Sequence, residues 1–89
     1  MNVQQTNIFK KELKKLHKNQ KLDVDEAVRK IIKDPSIGDL KKGDLSGIRV
    51  YKFKMVKQLT LLAYEFHENK LLLILIAFGS HENFYRNLK

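Results

Sequence analysis

The spacing of apolar positions changes near the middle of the chain. Phe9, Leu13 and Leu16 stand at i, i+4 and i+7 with lysines between them, which is one face of a helix. Thr6 or Asn7 is the expected cap. A denser stripe follows, with Val24, Ala27, Val28, Ile31 and Ile32 at helical spacing. Asp23 with Glu26 three residues on reads as the start of this second helix. Pro35 reads as its stop, because the residue before a proline is pushed out of the α region. Residues 36–47 read as an ordered polar connector anchored by Ile37, Leu40 and Leu45.

Beyond residue 47 the period falls to two. Over 48–55, Arg49, Tyr51, Phe53 and Met55 share one face, and Ile48, Val50, Lys52 and Lys54 the other. Residues 56–58 form a turn, 59–66 a second strand, and 67–70 another short connection. Residues 71–78 are apolar throughout, which predicts a central strand covered on both faces. Gly79-Ser80 breaks it, and 81–89 form a polar-aromatic tail or short helix. A further short strand fits residues 2–6. Helices followed by strands predict an α+β fold, with two helices packed on a sheet of three to four strands and the Tyr51/Phe53/Met55 face toward them. The expectation is one domain over residues 1–89.

Composition narrows the function classes. The chain has 89 residues and is 43% apolar, too apolar for a disordered basic tail. It has no cysteine, which excludes disulfides and thiolate metal sites. Its net charge is +8, with 11 basic and 7 acidic residues over 1–46 and 7 and 3 over 47–89. Such a field favours a polyanionic partner. The apolar run at 71–78 is far below the ~20 residues of a membrane span, and residues 1–9 hold no signal-peptide core, so a cytoplasmic protein without membrane association is expected.

Several side chains could carry chemistry. Lys52 and Lys54 lie two apart on a strand and point the same way, so two ammonium groups could flank one phosphate; on alternation alone a solvated face or a lysine-guarded edge is the simpler explanation. His81 follows the buried strand, where an imidazole can exchange a proton near neutral pH. Phe84 and Tyr85 could stack on a base and Arg86 could hold a phosphate, or Phe84 could pin the tail to the core. Lys10 and Lys14, within the lysine-rich first helix, could track an RNA backbone or simply be solvated. His17, His67 and His81 show no metal-ligand spacing, and no metal or cofactor is expected. No glycine-rich phosphate loop is present.

The segments at 47–54 (Gly-Ile-Arg-Val-Tyr-Lys-Phe-Lys), 61–66 (Leu-Leu-Ala-Tyr-Glu-Phe) and 75–85 (Leu-Ile-Ala-Phe-Gly-Ser-His-Glu-Asn-Phe-Tyr) resemble the RelE/ParE superfamily of bacterial type II toxins, and the resemblance covers nearly the whole chain. It implies a short first strand, a helical hairpin and a twisted antiparallel sheet. RelE-like members are mRNA interferases that enter the ribosomal A site and cut message by attack of its own 2′-OH, without a metal. On that resemblance, Lys52 and Lys54 match strand lysines that act as base or charge stabiliser. His81 matches the position that is histidine in YafQ- and HigB-like members, and Phe84 or Tyr85 matches the functional aromatic.

One position departs from the pattern. RelE-like enzymes place an arginine on the strand that here spans 59–66, where the matching position is near Leu61 and no lysine or arginine occurs. Arg49 or Arg86 could supply the missing charge. ParE-like members, which inhibit DNA gyrase and are not nucleases, provide the alternative reading; a non-catalytic RNA-binding module is a third. Both toxin readings imply a cognate antitoxin, with a toxin–antitoxin complex that could bind operator DNA through the antitoxin.

Overall fold

The computed structural model describes residues 1–43, 47–81 and 84. The elements in chain order are β1 (Asn2–Gln5), α1 (Asn7–Lys14), α2 (Lys18–Lys33), β2 (Asp39–Leu40), β3 (Arg49–Met55), β4 (Gln58–His67) and β5 (Leu72–Ser80), with a 3-10 turn at Glu68–Lys70 between the last two. The α+β class and both helices are as expected. The sheet has five strands rather than three or four, in the order β1-β5-β4-β3-β2. It is also mixed: β1 runs parallel to β5, and the other pairs are antiparallel. The extra strand is β2, two residues long, too short for an alternating pattern to reveal.

The helices bury one sheet face. Phe9, Val24, Ala27 and Ile31 pack against Met55, Leu62, Tyr64, Leu73, Leu75 and Phe78, with Tyr51 and Phe53 at the margin. At eight residues α1 is too short to persist alone in water, so packing must hold it. Phe9 provides that, meeting the Phe78 ring edge-on at 5.1 Å. Thr6 caps α1 by accepting the Phe9 N–H at 3.2 Å. Its hydroxyl also donates to the Ile76 carbonyl. That carbonyl belongs to a bulge: Ala63 pairs with Ala77 and Tyr64 with Leu75, which leaves Ile76 without an opposite residue. The bulge sends Leu75 and Phe78 into the helix-side core while Ile76 joins the other face. This is how β5 comes to be covered on both sides.

Three local expectations are corrected. α2 begins at Lys18, five residues before Asp23; His17 precedes it, and the His17 N–H is accepted by Gln20 Oε1 at 2.8 Å. Ile32 lies outside the buried stripe and is exposed. Ile37 and Leu40 do not anchor the connector, being 39% and 57% exposed; Leu45 lies outside the described residues. The anchor is polar instead. The Tyr64 hydroxyl donates to the Pro35 carbonyl at 2.6 Å and accepts the Gly38 N–H at 2.9 Å. A Cβ at Gly38 would stand 2.8 Å from the Tyr64 oxygen and 3.1 Å from the Val50 carbonyl carbon, so glycine is required there by close approach.

β3 and β4 are joined by a two-residue turn, with Met55 opposite Gln58. Val56 and Lys57 both have positive φ, 49° and 71°. Such turns match the twist of a hairpin but favour Asn-Gly, and a β-branched residue there costs about 1–2 kcal/mol. Asp23 Oδ2 on α2 accepts the Val56 N–H at 2.8 Å.

Candidate functional site

The face of the sheet away from the helices is graded along its strands. Its first row, Val50–Ala63–Ala77, is buried and joins a small cluster with Leu61 and Phe84. The next row is Lys52–Leu61–Gly79, and Lys54 stands opposite Leu59 in the row beyond. Thr60 pairs with Ser80, the last residue of β5, and His81 follows directly beyond it. The face thus runs from dry and apolar to an exposed end carrying Lys52, Lys54 and His81. Adjacent strands lie about 4.8 Å apart, so the end of β5 that leads into His81 lies two strands, about 10 Å, from β3. Among the described residues neither lysine is in an ion pair. Two unpaired cations at one end of a partly dry face can hold an anion the size of a phosphate.

Lys54 has a second neighbourhood. β2 pairs only with Arg49 and Val50, so among the described residues no strand covers the outer edge of β3 from Tyr51 onward. There Lys54 borders a cleft of about 210 Å³ between α2 and β3, lined also by Asp23, Glu26, Lys30 and the parallel rings of Tyr51 and Phe53.

The other candidates are not all brought to this end. Phe84 is 1% exposed and packs with Val50, Leu61 and Ala63, the arrangement of a pin rather than of a free stacking ring. Arg49 lies on the helix side, where its Nη1 donates to the carbonyls of Gly38 at 2.9 Å and Ser36 at 3.4 Å. Tyr85 and Arg86 lie outside the described residues. Lys10 and Lys14 are exposed on α1, on the far side of the sheet from Lys52 and Lys54. His17 precedes α2, and His67 pairs with Glu65 at 3.2 Å. Among the described residues no three His, Asp or Glu side chains gather as a metal-ligand set. Among the described residues no helix is long and apolar enough to cross a membrane.

A second surface was not anticipated from the sequence. β1, α1 and α2 enclose an open groove of about 500 Å³, floored by Phe9, Leu13, Val24, Val28 and Leu75 and rimmed by Lys14, Lys18 and Lys21. Val3 and Leu22 stand over it, 38% and 61% exposed. The available signal was Leu22, which falls outside the α2 stripe yet is large and apolar.

The comparisons with known proteins agree with this architecture. A chain of the intact E. coli RelBE toxin–antitoxin complex superposes with a TM-score of 0.70 at 19% identity, over 89% of this chain and 94% of that one. The isolated E. coli RelE toxin gives 0.69 at 19% identity, over 89% and 82%. The YoeB/ParE toxin from Agrobacterium tumefaciens gives 0.71 at 15% identity, over 91% and 99%. At these identities the likeness is one of fold. A comparison with curated protein sequences gives no match. The profile of the ParE-like toxins of type II bacterial toxin–antitoxin systems matches residues 3–89, and the chain belongs to that family.

Proposed function

We propose that this toxin is an endoribonuclease that cuts mRNA on the ribosome, with the exposed end of the open face as its active surface. The reading rests on the strand order that sets Lys52 and Lys54 on one side of β4 and the end of β5, with His81 directly after it, on the other. In the reaction the 2′-OH gives up its proton and its oxygen bonds to the neighbouring phosphorus. The bond from phosphorus to the 5′-oxygen breaks, and that oxygen takes a proton. Lys52 and Lys54 offset the negative charge that builds on the phosphoryl oxygens, a contribution made stronger by the dry row beside them. His81 carries one of the two proton transfers.

One observation favours a second reading. β4 runs between the lysines and His81 and presents Leu59 and Leu61 there, so the phosphate would be gripped from its two sides and not from beneath. A ParE-like gyrase inhibitor needs no such grip. Mapping RNA 5′ ends after induction separates the two. Under the nuclease reading, new ends appear within translated messages, and Lys54→Ala and His81→Ala each reduce them at least tenfold while the protein stays folded. Intact messages with gyrase-linked DNA damage would establish the other.

A toxin of this class needs an antitoxin, and the groove beside β1 suits one. An apolar segment with acidic flanks would fill the floor and meet Lys14, Lys18 and Lys21. The free edge of β1 lies alongside and can accept an added strand.

A further inference from the structure

We infer that Asp23 is a positioning residue, holding the β3–β4 turn in the conformation that presents Lys54. The inference rests on the reading of Lys54 as the cation that faces phosphate. Lys54 sits one pair from the turn, since Lys54 faces Leu59 and Met55 faces Gln58. Among the described residues β2 covers the outer edge of β3 only to Val50 and β5 pairs with β4 only to Thr60, so the last two pairs of the hairpin, Lys54–Leu59 and Met55–Gln58, form a two-stranded ribbon closed by Val56 and Lys57. Both residues have positive φ, a conformation that valine disfavours. Left to itself such a ribbon frays from its tip.

The Val56 N–H is the point of control. In a two-residue turn the first turn residue's N–H points away from the ladder and has no partner within it. Here it donates to Asp23 Oδ2 at 2.8 Å, from a residue 33 positions earlier on α2. The carboxylate thereby fastens the turn to a helix that is itself buried through Val24, Ala27 and Ile31. Asp23 and Lys54 also border the same cleft, but no ion pair joins them, so the tie runs through the backbone rather than through the charge of Lys54.

Three variants test this, read by cleavage of ribosome-bound message and by amide hydrogen exchange of the whole protein. Asp23→Ala is expected to speed exchange over residues 53–60 at least tenfold, with β1 and β5 unchanged, and to slow cleavage at least tenfold. Asp23→Asn keeps an oxygen acceptor without the charge, and is expected within threefold of wild type in both readouts. Asp23→Ala combined with Val56→Asn, which relieves the turn without altering charge, is expected to recover most of both losses. Unchanged exchange in Asp23→Ala overturns the inference. So does an Asp23→Asn variant as impaired as Asp23→Ala, which would make charge the operative property. If the wild-type protein cleaves no message, the nuclease reading fails while the exchange arm still decides whether Asp23 holds the turn.

Discussion

Tyr64 shows how one side chain can settle a region that hydrophobic patterning leaves open. Its hydroxyl satisfies the Pro35 carbonyl and the Gly38 N–H at once, while Arg49 holds the Gly38 carbonyl. Burial pushes the phenol above its ordinary range; the Gly38 hydrogen bond and the nearby Arg49 charge act in the opposite direction without cancelling it. The folded chain therefore favours the neutral phenol. This contribution is complete below the unfolded value of 10.0 and is lost as pH rises through the higher folded value. Urea titrations from pH 8 to 11 should show a loss of stability at the alkaline end that Tyr64→Phe lacks. At pH 8 that variant should be about 1–3 kcal/mol less stable, because two buried polar groups lose their partner. Gly38→Ala should be destabilised as well, since its methyl has no room. None of this was readable along the chain: the hydrogen bond joins residues 26 apart, and nothing periodic marks it.

At the scale of elements, the alternation at 48–55 was enough to separate Tyr51, Phe53 and Met55 from Lys52 and Lys54, and the structure keeps that division. The start of α2 was misread because a capping pattern at Asp23 and Glu26 competed with one at His17 and Gln20, and only the latter has the N–H to be satisfied. Asp23 caps nothing and faces another element. That Lys54 and the end of β5 preceding His81 flank β4 at one end of the sheet was also hidden, because it depends on strand order and register, which sequence spacing does not encode. Thr6 belongs to this scale, since one hydroxyl serves the end of β1, the start of α1 and the bulge of β5. Thr6→Ala should lower stability by about 1–2 kcal/mol in thermal or urea unfolding, at the upper end for a cap because the Ile76 carbonyl loses its donor too.

For the whole molecule, which carries a net charge of +8, two separate surfaces bear lysines. Lys14, Lys18 and Lys21 rim the groove on the helix side, and Lys52 and Lys54 stand on the opposite face of the sheet. A partner in the groove and a nucleic acid on the open face could therefore be held together, each against its own cations. Binding of single-stranded RNA should weaken linearly with the logarithm of salt concentration. Replacing Lys52 and Lys54 by alanine should reduce that slope by about 0.7 for each phosphate no longer neutralised. Replacing Lys18 and Lys21 should leave it nearly unchanged, and fluorescence anisotropy at several salt concentrations distinguishes the two cases.

The placement of β5 has a consequence for how the chain comes to be folded. It is the last strand made among those described, yet it lies between β1 and β4 and receives Phe9 from α1. Residues 2–5 must wait for residues 72–75 before they have any partner in the sheet. At about 5–20 residues per second, the nascent chain spends seconds with two amphipathic helices and no central strand to close against. Under the nuclease reading, the proposed active surface is complete only when β5, which leads into His81, joins the sheet, and the chain is inactive until then.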